Sequence, residues 1–406
     1  MNQLHPGEFC DVEGAIRAAT DAILAQQKPD GHWVYELEAD ATIPAEYVLL
    51  VHYLAEAPNL ELERKIGVYL RRIQGAHGGW PLYHDGAFDI SATVKAYFAL
   101  KMIGDDIDAP HMARARAAIH ERGGAIKANV FTRILLALYG ECSWNDVPTV
   151  PPELILLPRW FPIHLSKMSY WARTVIVPLL VLCARQPLAR NPRAVHVPEL
   201  FVPGVPAASP RAPHQSAGWS AFFNALDKVL KVVPWPRGVR ARAIEKCRVW
   251  TTARLNGEDG LGAIYPAMAN SVMMYDLLGY PPDHPDRAIA RLSVEKLLVV
   301  KEDEAYCQPC VSPVWDTALV AHALMETKDE QAMPAEALAG AGWGGRLGRG
   351  KARRAARRLG LPVSQRPLSR SGRHRRGGDG DGPGGRVARR QGHRAGPRMG
   401  RRTAKP

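Results

Sequence analysis

Nowhere does this 406-residue chain string together the roughly 18 consecutive apolar residues that a membrane-crossing helix requires, so no transmembrane span is expected. Its start, MNQLHPGEFCDVEG, has no basic region followed by an apolar run, and no secretory signal is expected either. Cysteine is scarce: six residues (Cys10, Cys142, Cys183, Cys247, Cys307, Cys310) are too few for a disulfide scaffold in so long a chain. Cys307 and Cys310 form one C-x-x-C, but without a second ligand pair or a βαβ context they read as plain thiols. The sequence has no G-x-x-x-x-G-K-[ST], H-E-x-x-H or G-x-S-x-G context, and HERGG at 120–124 lacks the second histidine of a zinc helix. Asp105, Asp106 and Asp108 in GDDID follow a helical run and precede Ala109-Pro110, and read as a solvated loop rather than a magnesium-diphosphate site. These absences leave a protein of the cytoplasm or of a membrane face.

What is present is a chain with 46% hydrophobic residues, enough to bury a large core. The formal charge of +13 is unevenly spread. Residues 341–406 hold 20 Lys+Arg against 2 acids, so residues 1–340 hold 33 basic and 38 acidic groups, a net of −5. The main part is mildly acidic and the basicity belongs to the tail.

Two stretches, QKPDGHW (Gln27, Gly31, Trp33) and QGAHGGW (Gln74, Gly78, Trp80), share the pattern Q-x3-G-x-W at a spacing of 47 residues. Each follows a helix-like run, VEGAIRAATDAILAQ or LERKIGVYLRRIQ, and precedes another, IPAEYVLLVHYLAE or DISATVKAYFALKMIG. The pattern predicts helix, glycine turn, helix, with the Gln amide tying the turn and the Trp ring packing over the junction. LNGEDGLGAIYPAMANSVMMYDLLG near 255–279 keeps the glycines of such a turn without the Trp. KANVFTRILLALYG (127–140), SYWARTVIVPLLVLCAR (169–185, interrupted by Pro178) and CVSPVWDTALVAHALME (310–326) add further apolar helices. Strand-like alternation is scarce. The fold class is all-α: helix pairs that cannot bury their faces alone stack as an open solenoid or close into an α/α barrel.

The Pro-rich stretch 186–218 reads as an extended connection into WSAFFNALDKVLKVVPW, 219–235. Trp219, Phe222, Phe223, Leu226, Val229, Leu230 and Val233 fall near one helical face, Asp227, Lys228 and Lys231 lie off it, and Trp235 ends the run. Such a helix suits a membrane interface and a protein core equally. Aromatic residues also sit inside apolar runs: Phe131, Tyr170, Trp171 and Trp315. Core packing accounts for any one of them; several turned into one cavity would present π-faces to a cation.

In all these segments, and in VPPELILLP and GAIYPAMANSVMMYDLLGYPPDHP, the chain resembles the triterpene cyclases that include bacterial squalene-hopene cyclase, over about residues 10–326. The resemblance implies two α/α barrels, one inserted in the other. Residues 1–35 and 311–326 would belong to the outer barrel and 36–310 to the inserted one. It implies a monotopic enzyme on the cytoplasmic face of the inner membrane that cyclises squalene or a related linear triterpene without cofactor or metal. Its partners would be that substrate and the membrane surface, with a homodimer among intact relatives and no specific nucleic-acid partner. By the same resemblance Trp171 and Trp315 fold the polyene and stabilise carbocations, Phe131 adds apolar shape, and Glu46 joins a polar network in which Lys95 stands where some relatives carry an acid. Trp219, Phe222, Phe223, Leu226, Leu230 and Trp235 match the membrane-contacting helix, and Leu261 and Ile264 weaken the third turn.

The family protonates its substrate from a D-x-D-D-T-A segment after SPVWD, and the sequence holds none, so no catalytic residue is assigned. Residues 327–406 are instead Arg- and Gly-rich and read as a disordered tail. Yet the last two bases of each codon, joined to the first base of the next, can spell Asp-Leu-Asp-Asp-Thr-Ala-Val-Val over Arg370–Gly377. Ala356–Ser369 likewise permit Pro-Gly-Gly-Trp-Ala-Phe-Gln-Tyr-His-Asn-Ala-His-Tyr-Pro. A slip of reading phase between about Thr327 and Gly345 explains the tail, leaving an inactive fragment that lacks its proton donor at Arg370–His374, a lipid-binding α/α barrel without catalysis. The other reading is a true arginine-glycine segment that attracts RNA or anionic lipid.

Overall fold

The computed structural model describes residues 12–207, 217–233 and 235–327. Cys10 and the basic tail, Arg370–His374 included, lie outside the described residues. Helix dominates what is described: twelve α-helices, seven short 3-10 turns and one two-stranded antiparallel ribbon.

Five helices are apolar nearly all round and form the centre: α2 (Thr42–Tyr53), α4 (Ile90–Ile103), α6 (Val130–Leu138), α7 (Tyr170–Arg185) and α10 (Tyr265–Leu277). A helix without a polar face has nowhere to sit but inside; in α4 every residue from Ser91 to Leu100 is buried. Between them run helices with one apolar stripe: α3 (Leu60–Arg72), α5 (Pro110–Glu121), α9 (Arg237–Thr252) and α11 (Pro285–Glu295). Asn59, Asp89, Asn129 and Ser169 cap the starts of α3, α4, α6 and α7 with side-chain oxygens.

The five central helices are parallel, because one segment binds all their C-terminal ends. Ala189 N–H donates to Leu138 O, Arg190 N–H to Tyr53 O and Asn191 N–H to His52 O. The Arg190 guanidinium donates to Leu54 O and to both Asp276 oxygens, and Arg193 donates to Met102 O. Alpha7 runs directly into this segment. The Pro-rich stretch after Arg185, read from sequence as an extended connection, is in its first part a cap on orphan helix carbonyls, with cations placed where helix dipoles favour them.

Pro178 does not interrupt its helix; α7 is continuous through it. The proline leaves the Thr174 carbonyl without its usual donor, a cost met by packing on α10 and α9. Alpha1 (Val12–Leu24) and α12 (Pro313–Glu326) meet in a small cluster of their own, where Trp33, Val320 and Leu324 pack with Ile23 and Leu24 apart from the main core. The ribbon of β1 (Leu298–Val300) and β2 (Ala305–Cys307) leads to the start of α10, where Tyr265 N–H bonds Pro309 O.

Asp105 is not in a solvated loop. Its carboxylate is largely buried and bonded by Arg71 at 2.5 and 2.9 Å and by His111 at 2.6 Å, while Asp106 and Asp108 are exposed. Burial pushes Asp105 up, but the hydrogen bonds from Arg71 and His111 outweigh it and hold the carboxyl below its usual value.

Candidate functional site

The two Q-x3-G-x-W stretches form the same set of bonds. The Gln27 amide donates to Gly31 O at 2.9 Å and the Gln74 amide to Gly78 O at 2.7 Å. The indole N–H of Trp33 reaches back ten residues to Ile23 O at 2.8 Å, and that of Trp80 reaches back ten to Leu70 O at 2.7 Å. Each Trp thus caps a carbonyl at the end of the preceding helix. Gly31 and Gly78 have φ of 91° and 85°, the left-handed region a side chain would strain. A threonine completes each junction: Trp80 N–H donates to Thr93 of α4 and Trp33 N–H to Thr317 of α12. The helix joined to the first turn is therefore α12, not the α2 that follows it in sequence. In the third, degenerate turn Glu258, Gly262 and Ile264 hold the Gln, Gly and Trp positions, and a half-buried Ile264 stands where the Trp would be, so the indole bond is missing there.

Since the C-terminal ends of the central helices share one cap, their N-terminal ends gather at the opposite end. Asn129 N–H bonds Ser91 Oγ across the starts of α6 and α4. Gly262, just before α10, lies so close to Thr174 of α7 that a Cβ there would come within 2.7 Å of its hydroxyl. Three of the four residues expected to line a cavity belong to this end. Phe131 and Trp171 stand in the first turns of α6 and α7, 53% and 52% exposed, with Tyr170 beside them at 44%. Glu46, in the second turn of α2, takes the Lys95 ammonium of α4 at 2.5 Å. That ion pair is mostly buried, so neither charge is left free in the wall. Tyr265, fully buried at the start of α10, has its phenol pushed well up by burial first and then by the Glu46 charge. Trp315 opens α12, 60% exposed, on the element that packs with α1. No ring contact joins Phe131, Trp171 and Trp315 to one another among the described residues.

This end thus offers aromatic faces, a self-neutralised ion pair and the Arg173 guanidinium 5.9 Å over the Tyr170 ring. Among the described residues no group of three or more His, Cys, Asp or Glu is placed to hold a metal ion. The thiols of Cys142, Cys183 and Cys247 are pushed up to about 12 by burial, and those of Cys307 and Cys310 are also raised by burial. A separate polar cleft of about 370 Å³ is lined by Tyr47, Glu56, Glu63 and Arg291, and includes none of the expected cavity residues.

Alpha8 (Ala217–Val232) is amphipathic with its polar edge turned inward. Asp227 accepts Thr149 N–H at 2.6 Å, and Lys231 pairs with Asp227 at 2.8 Å and donates to Asn145 O at 2.7 Å. At about 100° per residue, Phe222 and Val229 point roughly opposite this polar edge. Phe222, Phe223, Val229, Val232 and Val233 are exposed, and Leu226 and Leu230 half-buried. Trp235 is half-buried, under the Arg240 guanidinium at 5.0 Å. Trp219 lies on α8, its side chain outside what is described. No described helix is long and apolar enough to cross a membrane.

Comparison with known proteins identifies the family of this helical fold. The family model described as the squalene-hopene cyclase N-terminal domain matches residues 16–303. The squalene–hopene cyclase of Zymomonas mobilis is 63% identical over 333 residues, covering 79% of this chain and 50% of its own length. That of Bradyrhizobium diazoefficiens is 59% identical (80% and 50% covered), and that of Alicyclobacillus acidocaldarius 35% identical (75% and 48%). The chain spans about half the length of these relatives. With a family match over most of its helical part and high identity to several members, the chain belongs to the squalene-hopene cyclase family.

Proposed function

We propose that this fold is the N-terminal half of a triterpene cyclase that turns squalene or a close linear triterpene into a polycyclic product by acid-initiated cation-olefin cyclisation. The observation that carries the proposal is the set of exposed rings, Phe131, Tyr170 and Trp171, at the open end of parallel apolar helices, beside a Glu46–Lys95 pair that leaves no unbalanced charge. Such a wall receives a hydrocarbon with little polar desolvation and offers the Phe131 and Trp171 π-faces to cations formed along it. Trp171 stabilises positive charge, Phe131 shapes the chain's path, Glu46 contributes the polar edge, and Trp315 borders the cavity from α12.

The finer architecture follows from the same reading. Residues 36–310 are the inserted α/α barrel, and residues 1–35 and 311–326 belong to the outer one; the separate cluster of Trp33, Val320 and Leu324 supports this division. Alpha8, with its apolar face outward, is the membrane contact of a monotopic enzyme. The proton donor is the D-L-D-D-T segment that the neighbouring reading phase permits at Arg370–His374, and residues 327–406 as written are its out-of-frame translation.

Assay of squalene turnover tests this directly. Residues 1–406 should give no cyclised product, whereas a gene with its phase restored between about Thr327 and Gly345 should. Turnover by the chain as written would overturn the assignment of the donor. Coding triplets that cannot spell Asp-Leu-Asp-Asp-Thr would overturn the phase slip.

A further inference from the structure

We propose that the α8–α9 unit selects anionic lipid: its apolar face enters the bilayer and a collar of unpaired cations on the same unit binds headgroup phosphates. This rests on the membrane reading of α8 given above and adds the lipid class. The observation is one of charge. Residues 1–340 carry a net of −5, yet residues 217–248 hold seven Lys+Arg against two acids, a net of +5. Both acids are already engaged, Asp227 by Lys231 and Glu245 by Arg248, and Arg240 is held by Glu153. Lys228, Arg237, Arg242 and Lys246 are left exposed, with no ion pair among the described residues.

Four exposed, unpaired cations in an otherwise mildly acidic fold give these two helices a local positive potential that an anionic surface can meet. On the same two helices Phe222, Phe223, Val229, Val232 and Val239 are exposed, so apolar insertion and phosphate attraction would act together. Arg237 opens α9, whose start has no side-chain cap and no acid in its first turn. An anion there meets the positive end of the helix dipole as well as the guanidinium. A protein partner would need a matching acidic and apolar face, whereas a bilayer with anionic headgroups supplies both components by construction.

The test uses the full chain carrying an environment-sensitive dye on Val229→Cys, with the dye-treated parent as blank, so the reading is local to α8 and indifferent to the basic tail. Dye shielding should appear with phosphatidylcholine vesicles containing phosphatidylglycerol. It should weaken about tenfold or more in a K228Q/R237Q/R242Q/K246Q background and fall as salt rises. F222S/F223S should abolish it. All four cation sites are exposed and unpaired, so an unchanged thermal melt is expected for the charge variant. Equal shielding by neutral and anionic vesicles, or no effect of the four glutamines, overturns lipid selection and leaves the membrane reading standing. No shielding by any vesicle overturns both. A dye already shielded in a dimer before lipid is added assigns the face to a second copy. Loss of RNA binding in the glutamine variant with vesicle shielding unchanged assigns the collar to nucleic acid, and either result ends the inference.

Discussion

The Trp of each Q-x3-G-x-W turn works as a helix terminator as much as a packing ring. No backbone N–H caps the Leu70 carbonyl near the end of α3, and the Trp80 indole supplies the donor inside a fully buried site. Trp80→Phe keeps most of the apolar surface but strands that carbonyl. It should cost about 1–2 kcal/mol, read as a lower urea midpoint with unchanged slope. Asp105 makes a second prediction at this scale. Its folded value lies below the usual one, so its contribution is complete above the ordinary aspartate range near ~4 and is lost as pH falls through the lowered value. Asp105→Asn should lose about 1–2 kcal/mol at neutral pH, since its bonds to Arg71 and His111 lose their ionic component. Acid titration of its stability should be flatter than that of the parent below pH ~4. Of these residues Gln, Gly and Trp were legible in the sequence because their spacing repeats. Thr93 and Thr317 were not, since one of them acts on a turn 284 residues away. Asp105 was misread because its partner Arg71 lies one helix earlier and no short motif links them.

At the scale of elements, residues 186–197 explain why apolar helices of unequal length share one orientation. Prolines and the absence of periodicity mark this stretch as a connection, which it is; nothing local marks it as the meeting point of five helix ends, because its partners are backbone carbonyls spread from His52 to Leu138 and the distant Asp276 carboxylate. Three of its residues, Gln186, Asn191 and Ala194, hold positive φ without being glycine, a strain the cap's hydrogen bonds offset. Arg190→Ala removes three bonds at once and leaves Asp276 to Arg287 alone. The expected loss is about 1–2 kcal/mol in a denaturant midpoint. Faster amide exchange should follow at the C-terminal turns of α2 and α10 and not at their starts. The helices themselves were legible from hydrophobic periodicity, α7 included, although Pro178 argued for a break. Packing of α7 between α9 and α10 outweighed the local preference.

For the whole molecule the number of cores matters more than the number of helices. The main cluster is built from helices α2 to α7 and α9 to α11 with the ribbon, whereas α1, Trp33 and α12 share a cluster of only three buried side chains. Two bonds between Trp33 and Thr317 and one from Tyr35 to Asp316 are what tie that pair across nearly the whole sequence. Trp315 and Leu319 on α12 remain about two-thirds exposed, so much of that helix's apolar surface contributes nothing to its hold. Burial at roughly 25 cal/mol per Å² cannot make so small a contact as stable as the main core. The α1–α12 pair should therefore open as a unit of its own, and native-state hydrogen exchange gives the measurement. Amides of residues 313–326 should exchange through a sub-global opening several kcal/mol below that of α4. Addition of an apolar-surface dye should report exposed surface before the main transition. Equal protection of α12 and α4 would mean that the two clusters form one cooperative core, and the division of the chain at about residue 310 would have to be given up.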